Sequence, residues 1–322
     1  MTEPDPRPLF SIIIPTRNRP DLFATALRSV LAQDFDRFEV IVVNDGSSED
    51  STAAYADAIA GAGPRVRRLD LVRTARGHGQ SYALNFGVAR AEGDYVGFLD
   101  DDDEWTDPGH LSRAASVIEA IEAEPDLVLG NQRGFRNGTP VTETIWIESL
   151  EESLDRPAGA AGAYAVTPAE LLACTSHCHL NTTLVRRLFY QRVGGMDEGL
   201  RYECDRDFFL RAIDQADRIM FLPQTVSRHN IPDPAARASM STSESELSKR
   251  LYQLRVFDKA VLFSTREEIR RYALRQRGYV LGHIAIESRR AGLGLAARCY
   301  GLESQIVRFT TALQRVRRRA SP

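Results

Sequence analysis

Four consecutive aspartates, Asp100 to Asp103, end an apolar run of strand length, Tyr95 to Leu99, and are followed by Glu104 and Trp105. Adjacent carboxylates repel one another, so a folded chain holds them together only where something cationic compensates. Oxygen ligands of this kind suit Mg2+ or Mn2+, and a diphosphate can complete the coordination shell. A metal so placed neutralises the charge that builds on a departing nucleoside diphosphate. The bland alternative is a solvated acidic turn. The buried-type strand that delivers the run and the tryptophan that closes it favour the site.

The elements around the run are those of an α/β protein. Apolar runs of strand length alternate with helical patterns through the first half, which predicts a mainly parallel central sheet flanked by helices. Strands are expected at Phe10–Ile14 (stopped by Pro15), Glu39–Val43, Val66–Leu71 and Tyr95–Leu99. Helices are expected from Pro20, over Ser51–Ala60 with Gly61 as stop signal, and over Gln80–Ala91. Open sheets of this kind bind ligands beyond the carboxyl ends of their strands. That rule puts Pro15, Thr16, Arg17 and Asn18, Asp45 and the acidic run on one rim. Asp45, in Asn-Asp-Gly-Ser, also has an ordinary reading as a turn residue after a strand.

Beyond Gly130 the pattern is less regular. Thr167-Pro168-Ala169-Glu170 reads as a capping box, Cys178–Val185 as a strand, and Asp205–Ile213 as a helix. The expected organisation is a disordered N-terminus (1–8), an α/β domain (9–230), a Pro- and Ser-rich mobile loop or linker (231–248), and a C-terminal helical region (249–322). The last helix of that region carries Ile306, Phe309, Leu313 and Val316 on one face.

Composition excludes several classes. Hydrophobic residues are 43% and charged residues 26%, ordinary for a globular chain of 322 residues. With 41 Lys+Arg against 44 Asp+Glu, the net charge of −3 gives no case for nucleic-acid binding. No apolar run approaches the ~20 residues of a spanning helix, and no signal core follows the polar N-terminus. Four cysteines do not make a disulfide framework in a chain this long. Cys174, His177, Cys178 and His179 lack the second pair of a zinc site, so packing is the better reading. A cytoplasmic protein is expected, with attachment at the inner face of the cell membrane as an option: the Arg-rich C-terminal helices suit either anionic lipid or a homodimer.

The segments SIIIPTRNRP, VIVVNDGSSED, GQSYALNFG, GDYVGFLDDDDEW and GGMDEGLRYECDRDFFLR, in this order, resemble the motif series of family 2 glycosyltransferases, from about Phe10 to His229. The resemblance implies the GT-A (nucleotide-diphospho-sugar transferase) fold. The activity it implies is inverting transfer of a sugar from a nucleotide-sugar donor, UDP-linked by default, to a glycan or lipid-linked acceptor in bacterial surface polysaccharide synthesis. It implies that Pro15, Thr16 and Arg17 frame the base, with Arg17 in an aromatic's usual place. It implies that Asp45 bonds the base edge, that Asp100 and Asp101 lie near ribose and metal, and that Asp102 ligates Mn2+ or Mg2+. Since all four positions are Asp, the register is open by one. Asp205 matches the catalytic base, which takes the proton of the attacking hydroxyl, with Asp207 in reserve; Cys204 stands where Glu is usual. Helix-dipole complementation is the bland reading of both aspartates. His229 resembles a late Arg-His element that completes the metal site or touches the diphosphate, and an ordinary hydrogen-bonded histidine is the alternative. Leu84 replaces a usual Arg, with Arg73, Arg76 or His78 as substitutes.

Two other readings are open. A decayed transferase that only binds nucleotide or carbohydrate would fit the departures at Arg17, Leu84 and Cys204. A sugar-nucleotide nucleotidyltransferase would need a glycine-rich loop after the first strand, and Pro15-Thr16-Arg17-Asn18 is not one.

Overall fold

The computed structural model describes residues 7–232 and 240–319. Contacts divide the chain into two compact units, residues 1–199 with 216–231, and residues 200–215 with 232–322.

The first unit is built on a ten-stranded sheet in the order β3-β2-β1-β4-β9-β6-β10-β5, with β7 beside β6 and β8 beside β10. The strands are β1 (Phe10–Thr16), β2 (Phe38–Asn44), β3 (Val66–Asp70), β4 (Tyr95–Phe98), β5 (Glu104–Trp105), β6 (Leu127–Arg136), β7 (Thr139–Pro140), β8 (Tyr164–Ala165), β9 (Thr183–Arg186) and β10 (Ile219–Asn230). Strands β1 to β4 run parallel, β9 is inserted antiparallel between β4 and β6, and β6 and β10 are parallel again. Strand order reverses between β1 and β4, so the crevice at their carboxyl ends is the switch point where such sheets take ligands.

Both sheet faces are covered, which explains the near-continuous apolar strands. Ile12, Ile14, Val40 and Val42 pack under α1 (Pro20–Leu31), α2 (Glu49–Ala60) and α4 (His110–Ala120). Ile13 faces α3 (Gln80–Val88) across Gly87, where an added Cβ would lie 2.6 Å from the Ile13 side chain. Burying one such isoleucine stabilises the fold by about 2 kcal/mol. β1 runs through Pro15 instead of stopping there. Ile13 spends its carbonyl on Leu99 at the end of β4. Two residues on, Pro15 faces the side where β4 has ended, so its missing N–H breaks no ladder bond.

The helical expectations hold with small shifts: Ser48 caps α2 and Gly61 ends it, while α3 stops at Val88. Short helices α5 (Leu150–Ser153), α6 (Pro168–Leu171) and α7 (Arg187–Arg192) complete the unit, α6 with the full Thr167/Glu170 capping box. The strand expected at Cys178–Val185 begins only at Thr183. Leu180–Thr182 form a 3-10 turn capped by the His179 side chain, which accepts from the Asn181 N–H.

The second unit is helical: α8 (Cys204–Gln215), α9 (Met240–Ser243), α10 (Glu246–Phe263), α11 (Glu267–Arg290) and α12 (Gly294–Arg319). α8 therefore groups with the C-terminal helices. Of the expected terminus 1–8, residues 1–6 lie outside the described residues, as do 233–239 of the expected loop 231–248. The rest of that loop includes α9 and the start of α10, where the Ser245 hydroxyl accepts from the Ser248 N–H at 3.1 Å. On α12, Ile306 and Phe309 are exposed, and the buried face is Ala297, Ser304 and Val307. Leu313 and Val316 have side chains outside the described residues. No described helix is long and apolar enough to cross a membrane.

Candidate active site

The acidic run leaves β4 at the switch point and turns at once, the Asp103 N–H bonding the Asp100 carbonyl at 3.1 Å. The turn sends its side chains to different partners. Asp101 points to β1: the Thr16 hydroxyl donates to its Oδ2 at 2.7 Å, and Arg19 Nη1 to its Oδ1 at 3.1 Å. Thr16 lies 3.1 Å from the Tyr55 hydroxyl, which also accepts the Arg19 backbone N–H. The same Arg19 nitrogen reaches Asp102 Oδ2 at 3.0 Å.

Asp103 is the buried anchor, 2% exposed. Its Oδ2 accepts from Asn181 Nδ2 at 2.6 Å and lies 2.7 Å from His229 Nδ1, and its Oδ1 accepts the Asn230 N–H at 2.7 Å. Asn181 Oδ1 in turn accepts the Asp100 N–H, and the Asn181 carbonyl accepts Trp105 Nε1–H. The 3-10 turn that replaces the start of the expected strand thus plants one asparagine across the whole run. Gln80 Nε2 donates to Asp100 Oδ1 at 2.6 Å.

These donors leave negative charge in excess. Burial, then the charges of Asp103 and Asp102, hold the Asp100 carboxyl well above its ordinary value. Burial pushes Asp101 up to about 6, against the pull of Arg19. Asp102 is raised by burial and by Asp103, with Arg19 opposing. Burial alone would lower His229, but its hydrogen bond to Asp103 and the nearby carboxylates outweigh that, and its pKa rises. Ligand oxygens of Asp100, Asp102 and Asp103 all lie within 4.8 Å of one another, and among the described residues this is the one such grouping of His, Cys, Asp or Glu. A hard divalent cation fits this donor set: all-oxygen, strongly anionic and only partly compensated by protein.

The other expected residues fall around the same rim with different partners. Both oxygens of Asp45 are engaged, by the N–H groups of His78 and Gly79 and by His78 Nδ1 at 2.7 Å. Gly77 makes room for that contact: its φ is +68°, and a Cβ there would sit 2.4 Å from Asp45 Oδ2. Arg17 donates Nη2 to the Thr74 and Ala75 carbonyls, so it braces the same loop. Pro15 sits one residue inside the end of β1. Arg73 and Arg76 are exposed on the loop, His78 is tied to Asp45, and Leu84 is core. His229 packs edge-on to Trp146 at 5.2 Å and near His179 at 5.0 Å. Cys178 is buried, its thiol against the Gly130 carbonyl and the Thr182 hydroxyl.

Asp205 and Asp207 lie in the first turn of α8, in the second unit. Asp207 is 2% exposed and ion-paired to Lys259 Nζ at 2.6 Å and Arg211 Nη2 at 2.8 Å. Asp205 is half-buried, with its Oδ1 accepting the Arg206 N–H at 2.8 Å. The preceding Glu203 takes a positive φ of 63° and accepts from Gln253.

Sequence reading did not single out Arg19, Tyr55, Gln80, Asn181 or Asn230. Arg19 had one signal, a second cation beside Pro20 on the rim loop. The others had none, since each reaches the run from a separate stretch of chain.

The sequence matches Glycosyl transferase family 2 over residues 11–169. The glycosyltransferase EpsJ of Bacillus subtilis is 27% identical over 259 residues, 77% of this chain and 69% of EpsJ. The amylovoran biosynthesis glycosyltransferase AmsB of Erwinia amylovora is 32% identical over 117 residues, 36% of this chain and 38% of AmsB. Among solved structures, S. aureus TarS 1-349 in complex with UDP-GlcNAc superposes with a TM-score of 0.64 at 21% identity, over 92% of this chain and 79% of that one. The mannosyltransferase PcManGT of Pyrobaculum calidifontis, in complex with GDP-Man and Mn2+, gives 0.57 at 18% identity, over 96% and 87%. The fold is thus that of the GT-A glycosyltransferases, residues 11–169 belong to glycosyl transferase family 2, and the protein is a glycosyltransferase.

Proposed function

We propose that this enzyme is a metal-dependent, inverting glycosyltransferase. It takes a sugar from a nucleoside-diphosphate sugar, UDP-linked by default, and passes it to a hydroxyl of a glycan or lipid-linked acceptor in bacterial surface polysaccharide synthesis, at the cytoplasmic side of the membrane. The observation that carries this reading is the convergence of Asp100, Asp102 and Asp103 at the sheet's switch point with their charge only partly compensated. AmsB, named for amylovoran biosynthesis, supports the pathway class, and the Mn2+ and GDP-Man of the PcManGT complex support metal and donor.

Asp102, with Asp100 and Asp103 beside it, would hold Mn2+ or Mg2+. The ion supplies a Lewis acid for the leaving diphosphate. Thr16, Tyr55 and Arg19 fix Asp101, while Asn181, His229 and Asn230 fix Asp103, so the run is rigid before donor arrives. The loop held by Asp45 and Arg17 shapes the nucleoside end. Asp205 takes the proton of the acceptor hydroxyl as its oxygen bonds the anomeric carbon and the diphosphate oxygen departs from the opposite face.

A thermal-shift series tests the reading. Melting temperature should rise with Mn2+ plus UDP, GDP or dTDP, because ligands bound only by the folded state stabilise it. The rise should vanish with a chelator and in Asp102→Asn. Slow Mn2+-dependent hydrolysis of the matching sugar donor separates an enzyme from a binding protein. Neither shift nor hydrolysis with any of the three nucleotides overturns the proposal.

A further inference from the structure

α12 carries a second apolar face besides the one it buries. Ala297, Ser304 and Val307 are buried within the helical unit, and the Ser304 hydroxyl donates to the Gly278 carbonyl of α11 at 2.7 Å. On another side Leu295, Leu302, Ile306 and Phe309 are 78%, 61%, 54% and 65% exposed, and Cys299 is exposed with them. These five positions are spaced 4, 3, 4 and 3 residues apart, and Leu313 and Val316 continue the same alternation in sequence. A strict 3.5-residue period marks a seam between two helices, and at 1.5 Å per residue it would run about 32 Å.

We propose that this seam pairs with its own copy, making the enzyme a homodimer through a parallel, in-register two-helix coiled coil of α12. Two observations select this occupant over a lipid surface and over an antiparallel pair. First, the strip is two positions wide per heptad, and its described borders, Ala296, Arg298, Glu303, Gln305 and Thr310, hold a single cation. A helix lying on anionic lipid shows a broader apolar arc edged with Lys and Arg. Second, the flanking charges match only one orientation. Cys299 and Ile306 occupy one core position of the heptad, and Leu295, Leu302 and Phe309 the other. Arg298 then precedes the first core position and Glu303 follows the second. In a parallel pair these are the flanks that meet, so Arg298 faces Glu303 of the partner subunit. Arg298 is exposed, and Glu303, though bonded to Arg277, keeps a side chain 45% exposed. An antiparallel pair sets Arg298 against the flank holding Arg298 and Gln305, which offers no carboxylate.

In-register pairing also sets the two Cys299 thiols side by side at a core position. Cys174 is half-buried, and Cys178 and Cys204 are buried. Analytical ultracentrifugation of the full chain at micromolar concentration should give a particle of twice the 35.9 kDa chain mass. Mild Cu(II)-phenanthroline oxidation, which takes two electrons from the paired thiols, should convert it to a covalent dimer, and Cys299→Ser should abolish that product. Ile306→Glu should raise the dimer dissociation constant at least about 100-fold with an unchanged circular dichroism spectrum. Should that variant misfold, Leu302→Gln with the wild-type crosslink carries the test. A monomeric wild type, a dimer untouched by the seam substitutions, or a dimer without the Cys299 crosslink overturns the proposal. So does flotation with phosphatidylglycerol vesicles that Ile306→Glu abolishes, since the seam would then be a lipid face.

Discussion

Two groups of aspartates make opposite use of their charge. On α8, Asp207 is buried between Lys259 and Arg211, each of its oxygens within 3 Å of a cation, so its charge is consumed by the fold. In the acidic run, four carboxylates share Arg19 and His229, and Asp100, Asp101 and Asp102 hold their protons more tightly than ordinary carboxyls. Burying a carboxylate without full compensation costs stability, so such a cluster persists where a ligand supplies the balance. A matched buried charge is architecture, and an unmatched cluster is a site. Asp205 lies on the same helix as Asp207 but is half-buried, and its Oδ1 accepts the Arg206 N–H.

The sharpest way to break this comparison is to neutralise the two α8 aspartates one at a time. Asp205→Asn should lower kcat on the order of 10³-fold, the usual scale for a lost general base, while nucleotide affinity and melting temperature stay near wild type. Asp207→Asn should do the reverse: turnover persists in the folded enzyme and stability falls by about 3 kcal/mol, because Lys259 and Arg211 lose their shared partner. Transfer rates beside urea denaturation curves check both. If Asp205→Asn turns over at the wild-type rate, the base lies elsewhere.

Only part of this contrast could be read in the sequence. Strands β1 to β4 and their helices were legible because burial on both sheet faces forces long apolar runs, and their ends placed Thr16, Asp45 and Asp100 on one rim. The inner division of the acidic run was not legible. Four identical residues carry no mark of which one meets Arg19 and which one Asn181; the turn bonding Asp103 N–H to the Asp100 carbonyl decides it. Asn181 itself was hidden inside Cys178–Val185, whose β-branched residues suit a strand, while the His179 cap makes a 3-10 turn of its middle. Asp205 and Asp207 look alike in sequence, and the buried pairing of Asp207 is completed by Arg211 one helical turn on and by Lys259 about fifty residues later. The helical period of α12 was visible, yet Ile306 and Phe309 proved to be on its open side.

A second test sharpens the unmatched side by pH. The folded pKa of Asp101, about 6, lies above the ordinary carboxyl value of 3.8. The folded state therefore holds the extra proton between those values. The contribution is fully present below the unfolded pKa and is lost as pH rises through about 6, amounting to about 3 kcal/mol. In chelator, the urea midpoint of the wild type should fall from pH 4 to pH 7 relative to that of Asp101→Asn. Saturating Mn2+ should flatten the difference, since the cation takes the proton's place. A gap between the two proteins that is constant across this window would remove Asp101 from the unmatched set.

The smallest effect probes how the run is held. Asn181 bonds Asp103 through its amide nitrogen and the Asp100 N–H through its amide oxygen, so it orients the neighbours of the expected metal oxygen without being a ligand. Groups of this kind tune affinity by fixing the ligand's direction, and their loss weakens metal binding by about 10-fold or somewhat more. Asn181→Leu should therefore raise the Mn2+ dissociation constant about 10-fold, with nucleotide binding lost in proportion at low metal and recovered at high metal. Asn181→Asp should be worse than Asn181→Leu for folding, because it adds a fifth carboxylate to a place already short of positive charge. A purely structural asparagine would lower melting temperature in both variants and leave the metal titration midpoint where it was. That outcome would move Asn181 out of the site and make it, like Asp207, part of the frame.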